Sequence, residues 1–322
     1  MFPVLNRLRS ERVLLQFQSM KPSNIPSLRC LASARFGWIS RLRWSPSGDT
    51  LAICGGDGIA VYVQGFGESP TFRLREHAAP VKDIAFSPDG KLLASCSADT
   101  MILLYRLEAG NAQVATAIQG GRDAVGAIAF SPDGATLASG GADSTIRLWQ
   151  VATGELTAVL DGHRDEVTAL RFAGKGNCLF SAGRDGLIRS WDLNAGNRSV
   201  VGRHDDWVRQ LALRLGRREL ASASRDMTIG LWSLADRRES RRWSAHAGGA
   251  DALAFSPDGQ LLASGGRDNA IRIWDVDASQ ELRTLKAHSR PVLALDFNPA
   301  GTLLASGAGD NKVMLWAVRR AR

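Results

Sequence analysis

The residues best equipped for chemistry are His163, Ser181 and Asp185, a set that returns as His246, Ser264 and Asp268 and again as His288, Ser306 and Asp310. Serine, histidine and aspartate together can make a nucleophilic hydrolase, in which the imidazole takes the hydroxyl proton and the carboxylate orients the imidazole. Such a catalyst needs one activated, accessible serine beside an oxyanion site. Here the set recurs, each time followed by a tryptophan (Trp191, Trp274, Trp316), which is the mark of a structural unit repeated along the chain. The other histidines, His77 and His204, open units of the same kind, so none is left over for catalysis.

Other chemical candidates fall away in turn. Cys30, Cys54, Cys96 and Cys178 are scattered without a C-x-x-C pair, which indicates small buried thiols in a reducing compartment and no zinc site or disulfide framework. Gly55-Gly56-Asp57-Gly58 and Gly65-Phe66-Gly67 do not open a helix after a strand, so they lack the context of a phosphate cradle. Asn197-Arg198-Ser199 fits a glycosylation sequon that a cytosolic protein would not use. No cofactor and no metal are expected. The longest apolar runs fall short of the roughly 18 residues of a membrane span and no secretory leader is legible, so the expected location is cytoplasmic, with no membrane contact.

The elements that carry these residues are strands. Phe86-Ser87-Pro88-Asp89-Gly90 recurs as Phe130-Ser131-Pro132-Asp133-Gly134 and Phe255-Ser256-Pro257-Asp258-Gly259, with variants at Trp44-Ser45-Pro46-Ser47-Gly48 and Phe297-Asn298-Pro299-Ala300-Gly301. Proline fixes one φ and Asp-Gly tolerates a positive one, as a tight strand-to-strand turn requires. After each turn come a small-residue strand such as Leu92-Leu93-Ala94-Ser95, a loop ending in Asp, and an alternating strand such as Thr145-Ile146-Arg147-Leu148-Trp149. An aromatic closes that last strand at Tyr62, Tyr105, Trp149, Trp191, Trp232, Trp274 and Trp316, which gives seven units.

With this period, a Gly-His or Ala-His opening (Gly162-His163, Ala245-His246, Ala287-His288) and a Trp-Asp ending (Trp191-Asp192, Trp274-Asp275), the stretch from 35 to 318 resembles the WD-repeat family. The resemblance implies an all-β, seven-bladed β-propeller of four-stranded antiparallel blades, the outermost strand of each supplied by the start of the next repeat. It also implies that the indole N–H donates to the serine, the serine to the histidine, and the histidine to the aspartate, a structural tetrad rather than a triad. Because the chain ends just after the third strand of repeat seven, the segment from Ser27 to Leu31 is expected to complete blade seven and close the ring. Residues 1–24 are an N-terminal extension outside the repeats, and 25–322 form the propeller.

Some repeats depart from the pattern. Repeat one has Arg35 in place of histidine and Ile53 in place of serine; repeat three has Gly121 at the histidine position; repeat five replaces the turn phrase with Arg214-Leu215-Gly216-Arg217.

Function is expected to lie in binding. The formal charge of +8 attracts nucleic acid or acidic protein without choosing between them. The alignment places Trp38, Lys82, Arg164, Arg184, Trp207, Arg209, Arg225, Asp251, Arg267 and Leu293 on the upper face, where propellers of this kind receive partners. Trp38 and Trp207 stand out because the same position holds Pro80, Ala124, Glu166, Gly249 and Pro291 elsewhere, so the fold does not require tryptophan there. Trp207 is expected beside Arg184, Arg209 and Arg225. The leading expectation is a non-catalytic scaffold for partner proteins or peptides, monomeric within a larger complex. The alternative is nucleic-acid or ribonucleoprotein binding through arginines expected to converge on the opposite face of blade five: Arg214, Arg217, Arg218, Arg237, Arg238, Arg241 and Arg242.

Overall fold

The computed structural model describes residues 27–319 other than positions 68, 109 and 215. Each turn phrase folds as its residues dictate. In blade two, Ser87 Oγ donates to Asp89 (2.6 Å) and accepts from the Leu92 amide (2.9 Å), while Gly90 takes the positive φ of 71° that the corner needs. The same geometry recurs at Ser131 and Ser256.

The described strands form seven antiparallel sheets of four. Blade one comprises Ile39–Trp44, Thr50–Gly55, Gly58–Val63 and Phe72–Leu74, and the next five blades repeat the order from the innermost strand outward. Blade seven has the innermost strand Val292–Phe297, then Leu303–Ala308 and Lys312–Arg319, and its fourth strand is Ser27–Arg35 from the other end of the chain. Leu28 pairs with Val318 and Ala34 with Val313, so the expected closure is present.

The core lies between blades. Leu170, Phe172 and Trp191 of blade four pack on Ala127, Ala138 and Ile146 of blade three, while Ala169, Phe180 and Ile188 on the other side of blade four meet Val208, Leu211 and Trp232 of blade five. Both faces of the blades are therefore packed, which is why the second strands are buried almost throughout and built of small residues.

Every innermost strand carries a register shift after its first residue, as at Val81/Asp83, Val208/Gln210, Ala250/Ala252 and Val292/Ala294. The skipped residue is unpaired in the ladder and is turned out of the sheet by the bulge. Lys82, Arg209, Asp251 and Leu293 all occupy this position, so four of the residues assigned to the upper face share one backbone device.

On the opposite, lower face the turn prolines pack on the glycines of neighbouring turns. Side-chain carbons placed on Gly90, Gly134, Gly176, Gly301 and Gly48 would meet Pro46, Pro88, Pro132, Pro257 and Pro299 at 3.0–3.8 Å. Between blades five and six, Arg214 Cγ plays the proline's part at 3.0 Å from such a carbon on Gly259.

Candidate functional site

The Ser–His–Asp sets are built from three elements of one blade and the loop before it. In blade six, Trp274 Nε1–H donates to Ser264 Oγ (2.8 Å), Ser264 Oγ lies 2.8 Å from His246 Nε2, and His246 Nδ1 lies 2.8 Å from Asp268. Donor and acceptor capacities match only if each group passes one hydrogen onward, with a neutral imidazole donating to the carboxylate. The tetrads of blades four and seven have the same geometry. Ser181, Ser264 and Ser306 are each fully buried, so these hydroxyls are not presented to solvent.

Burial holds His246 and His288 below the ordinary imidazole value, outweighing the attraction of their aspartates. Burial would raise Asp268 and Asp310, but the imidazole and backbone N–H bonds prevail and both stay below the usual carboxylate range. These aspartates also cap loops: Asp185 accepts from the amides of Arg164 and Leu187.

A fourth complete tetrad, His204–Ser222–Asp226–Trp232 in blade five, escaped the sequence reading. The signal was present, because serine follows histidine by 18 positions and aspartate by 22 in this blade as in the others. Blade two keeps His77, Ser95 and Asp99, while its Tyr105 hydroxyl donates to Glu76. In blade three, where Gly121 replaces histidine, Arg147 pairs with Asp143 at 2.8 Å and takes the place of the imidazole N–H as the carboxylate's donor.

On the upper face the structure brings together most of what the sequence assigned. Two guanidinium groups lie over the Trp207 ring, Arg184 at 4.3 Å and Arg225 at 4.7 Å from its centroid. Arg184 in turn pairs with Glu166 at 2.6 Å. Arg209 does not join this stack; its guanidinium turns to the buried carboxylate of Asp251 (3.0 Å), which also takes Arg267 at 3.1 Å. Trp207 is consequently half-buried, whereas Trp38 of blade one is 63% exposed. Arg164 is exposed, Lys82 half-buried, and the Leu293 carbonyl accepts from Arg41.

The central channel holds charges that sequence reasoning did not single out. Arg41 and Arg43 approach Asp83 at 3.7 and 3.9 Å, and Asp296 accepts from the Trp44 amide. Burial, with Arg43 and Arg41 nearby, pushes Arg171 down to about 9. The available signal was a charged residue alternating with core residues on the innermost strands, as in Arg41-Leu42-Arg43.

The seven arginines of blade five do not form one patch. Arg214 is buried (side chain 4% exposed), bonded to Glu219, Asp277 and the Gly259 carbonyl. Arg241 donates to the carbonyls of Val276 and Asp277. Arg242 points to the upper end, where it meets Glu239, Asp226 and the Arg203 carbonyl. Arg217 lies 3.5 Å from Asp277 and Arg238 lies 3.9 Å from Asp236. Arg218 and Arg237 are exposed and line a cavity between blades four and five. Convergence fails because the outer strand Arg238–Ser244 runs the length of the blade and carries Arg242 away from the turn.

Comparison with known proteins accords with this geometry. Residues 237–275 and 279–317 each match the family described as "WD domain, G-beta repeat", and residues 84–173 match the "Anaphase-promoting complex subunit 4 WD40 domain". Among curated proteins, Protein HIRA of Homo sapiens and of Mus musculus is 32% identical over 111 residues, and the HIRA homolog of Drosophila melanogaster 28%. These alignments cover 29% of this chain and only 11% of each relative's own length. Each matched WD repeat starts before the outermost strand of one blade and ends with the third strand of the next, the offset that the observed ring requires. The repeat and the blade thus describe one architecture in two frames, and the chain belongs to the WD-repeat β-propeller family.

Proposed function

We propose that this protein is a non-catalytic interaction scaffold that receives partner proteins or peptides on the upper face of its propeller. The observation that carries the reading is the Trp207 ring in contact with the guanidinium groups of Arg184 and Arg225, on the same face as the exposed Trp38. Tryptophan and arginine dominate the energetics of protein interfaces, and a ring already stacked with two cations loses little freedom when a partner covers it. The non-catalytic part is supported by the buried serines, each already occupied by an indole and an imidazole. Membership of a larger assembly is supported by analogy, since one matched family model takes its name from a subunit of a complex.

The test is affinity capture with mass spectrometry, run side by side on the unaltered chain and on a Trp38→Ala/Trp207→Ala variant of equal melting temperature. Partners captured by the first and lost by the second are expected, with a loss of more than about 1 kcal/mol for each partner measured singly. An unchanged set of partners would move the binding surface elsewhere.

A further inference from the structure

The packing of proline on glycine around the lower face is interrupted at two places among the described turns, and Arg214 fills the one between blades five and six. Blade four has Ala173-Gly174-Lys175-Gly176 where blade three has Ser131-Pro132-Asp133-Gly134, so no proline reaches toward blade five. A side-chain carbon placed on Gly216 of blade five would meet nothing within 4 Å. Here a cavity of about 510 Å³ opens between the two blades. Phe180 and Val201 from blade four and Leu213 and Leu234 from blade five give it an apolar floor.

Its rim is cationic. Arg218, in the turn after the innermost strand, and Arg237, in the turn before the outermost, both line the cavity and are exposed. The two turns are tied together, since the Leu234 amide donates to the Arg218 carbonyl at 2.9 Å. Neither guanidinium has a carboxylate partner among the described residues, and the one carboxylate in the lining, Glu219, is already held by Arg214 at 2.8 Å. Lys175 is exposed on the blade-four turn.

We infer that this groove is a second docking site, independent of the upper face, for a short peptide segment of a partner protein in which a large apolar side chain lies next to an aspartate or glutamate. The volume is that of pockets that enclose a small ligand or a few side chains. The apolar floor accepts the anchor, and the two unpaired guanidinium groups select carboxylates beside it. A nucleic-acid strand fits less well, because its affinity comes from many cationic contacts along a backbone and five of the seven nearby arginines are engaged internally.

Random octapeptides displayed on phage and selected on the whole chain test the assignment, with the selected peptides measured singly by fluorescence polarisation. Enrichment of sequences placing an acidic residue beside Leu, Phe, Met or Trp is expected. Their affinity should fall about tenfold or more in Arg218→Glu/Arg237→Glu and in Asn177→Trp, which fills the groove from an exposed position, and should be unchanged in Trp207→Ala. Melting curves verify folding, and Arg218→Gln/Arg237→Gln replaces the charge-reversed variant if that one is unstable. Enrichment without acidic residues, equal affinity in the groove variants, or no enrichment would overturn the proposal. So would tighter binding of single-stranded RNA, lost in the same variants.

Discussion

Arg41 of blade one donates to the backbone carbonyl of Arg209 on blade five, at 3.3 Å and 168 positions later in the chain. Its other terminal nitrogen reaches the Leu293 carbonyl of blade seven. One buried side chain thus crosses the channel and ties blades that share no strand pairing. Replacement by methionine, which keeps the stem and removes the donors, should leave Asp83 with the Ile84 and Ile128 amides and, among the described cations, the more distant Arg43, and cost about 2 kcal/mol. Urea unfolding of Arg41→Met measures this. A stability equal to that of the parent would show that the crossing bonds contribute nothing net.

Ring closure can be tested in trans. A chain beginning at residue 36 lacks the strand Ser27–Arg35 and exposes the edge of Lys312–Arg319. It should melt lower than the full chain and recover on addition of a peptide spanning 27–35, because the peptide restores both the ladder and the burial of Leu28 and Ala34. Failure of the peptide to raise the melting temperature would indicate that blade seven is stable with three strands.

For the tetrads, Ser264→Ala removes the acceptor of the Trp274 indole and the donor to His246. Two buried groups lose their partner, at a cost of about 1–3 kcal/mol. Thermal or denaturant unfolding reads the loss, and a fluorophosphonate probe should label neither the parent nor the variant. Labelling of Ser264 in the parent would assign it a nucleophilic role.

Stability should also depend on pH through the buried imidazoles. His246 and His288 are held below their ordinary value of about 6.5, chiefly by burial. The unfolded chain therefore binds protons more readily than the folded one, and stability falls as pH drops below about 6.5. Asp268 and Asp310 are likewise lowered in the fold, so a further decline is expected as pH falls below about 4, the unfolded carboxylate value. Midpoints of urea unfolding between about pH 8 and pH 3 should trace both declines, with the upper one shallower in His246→Gln/His288→Gln. A midpoint flat from pH 7 to pH 5 would refute the imidazole contribution.

The sequence by itself determined the ring and its internal bonding. Seven aromatics at a near-constant period, a proline–glycine turn in most units and histidine, serine and aspartate in fixed order are local, repeated constraints, and each copy corroborates the others. Even the strand that closes blade seven was legible, because Ser27 to Leu31 repeats the apolar spacing of an outer strand just before the first repeat opening. Trp207 beside Arg184 and Arg225 followed from the same alignment, since equivalent positions on adjacent blades are neighbours. Tertiary structure alone decided which charges are free. Arg214 and Arg218 stand four positions apart, yet the first is buried against Asp277 of blade six and the second lies exposed on a groove facing blade four. Their partners come from different blades, and a one-dimensional pattern of like charges does not encode which carboxylates and carbonyls the neighbouring blades bring into reach. The groove has the same origin, because a proline missing from one turn becomes a cavity only where none of the described residues of the next blade fills the space.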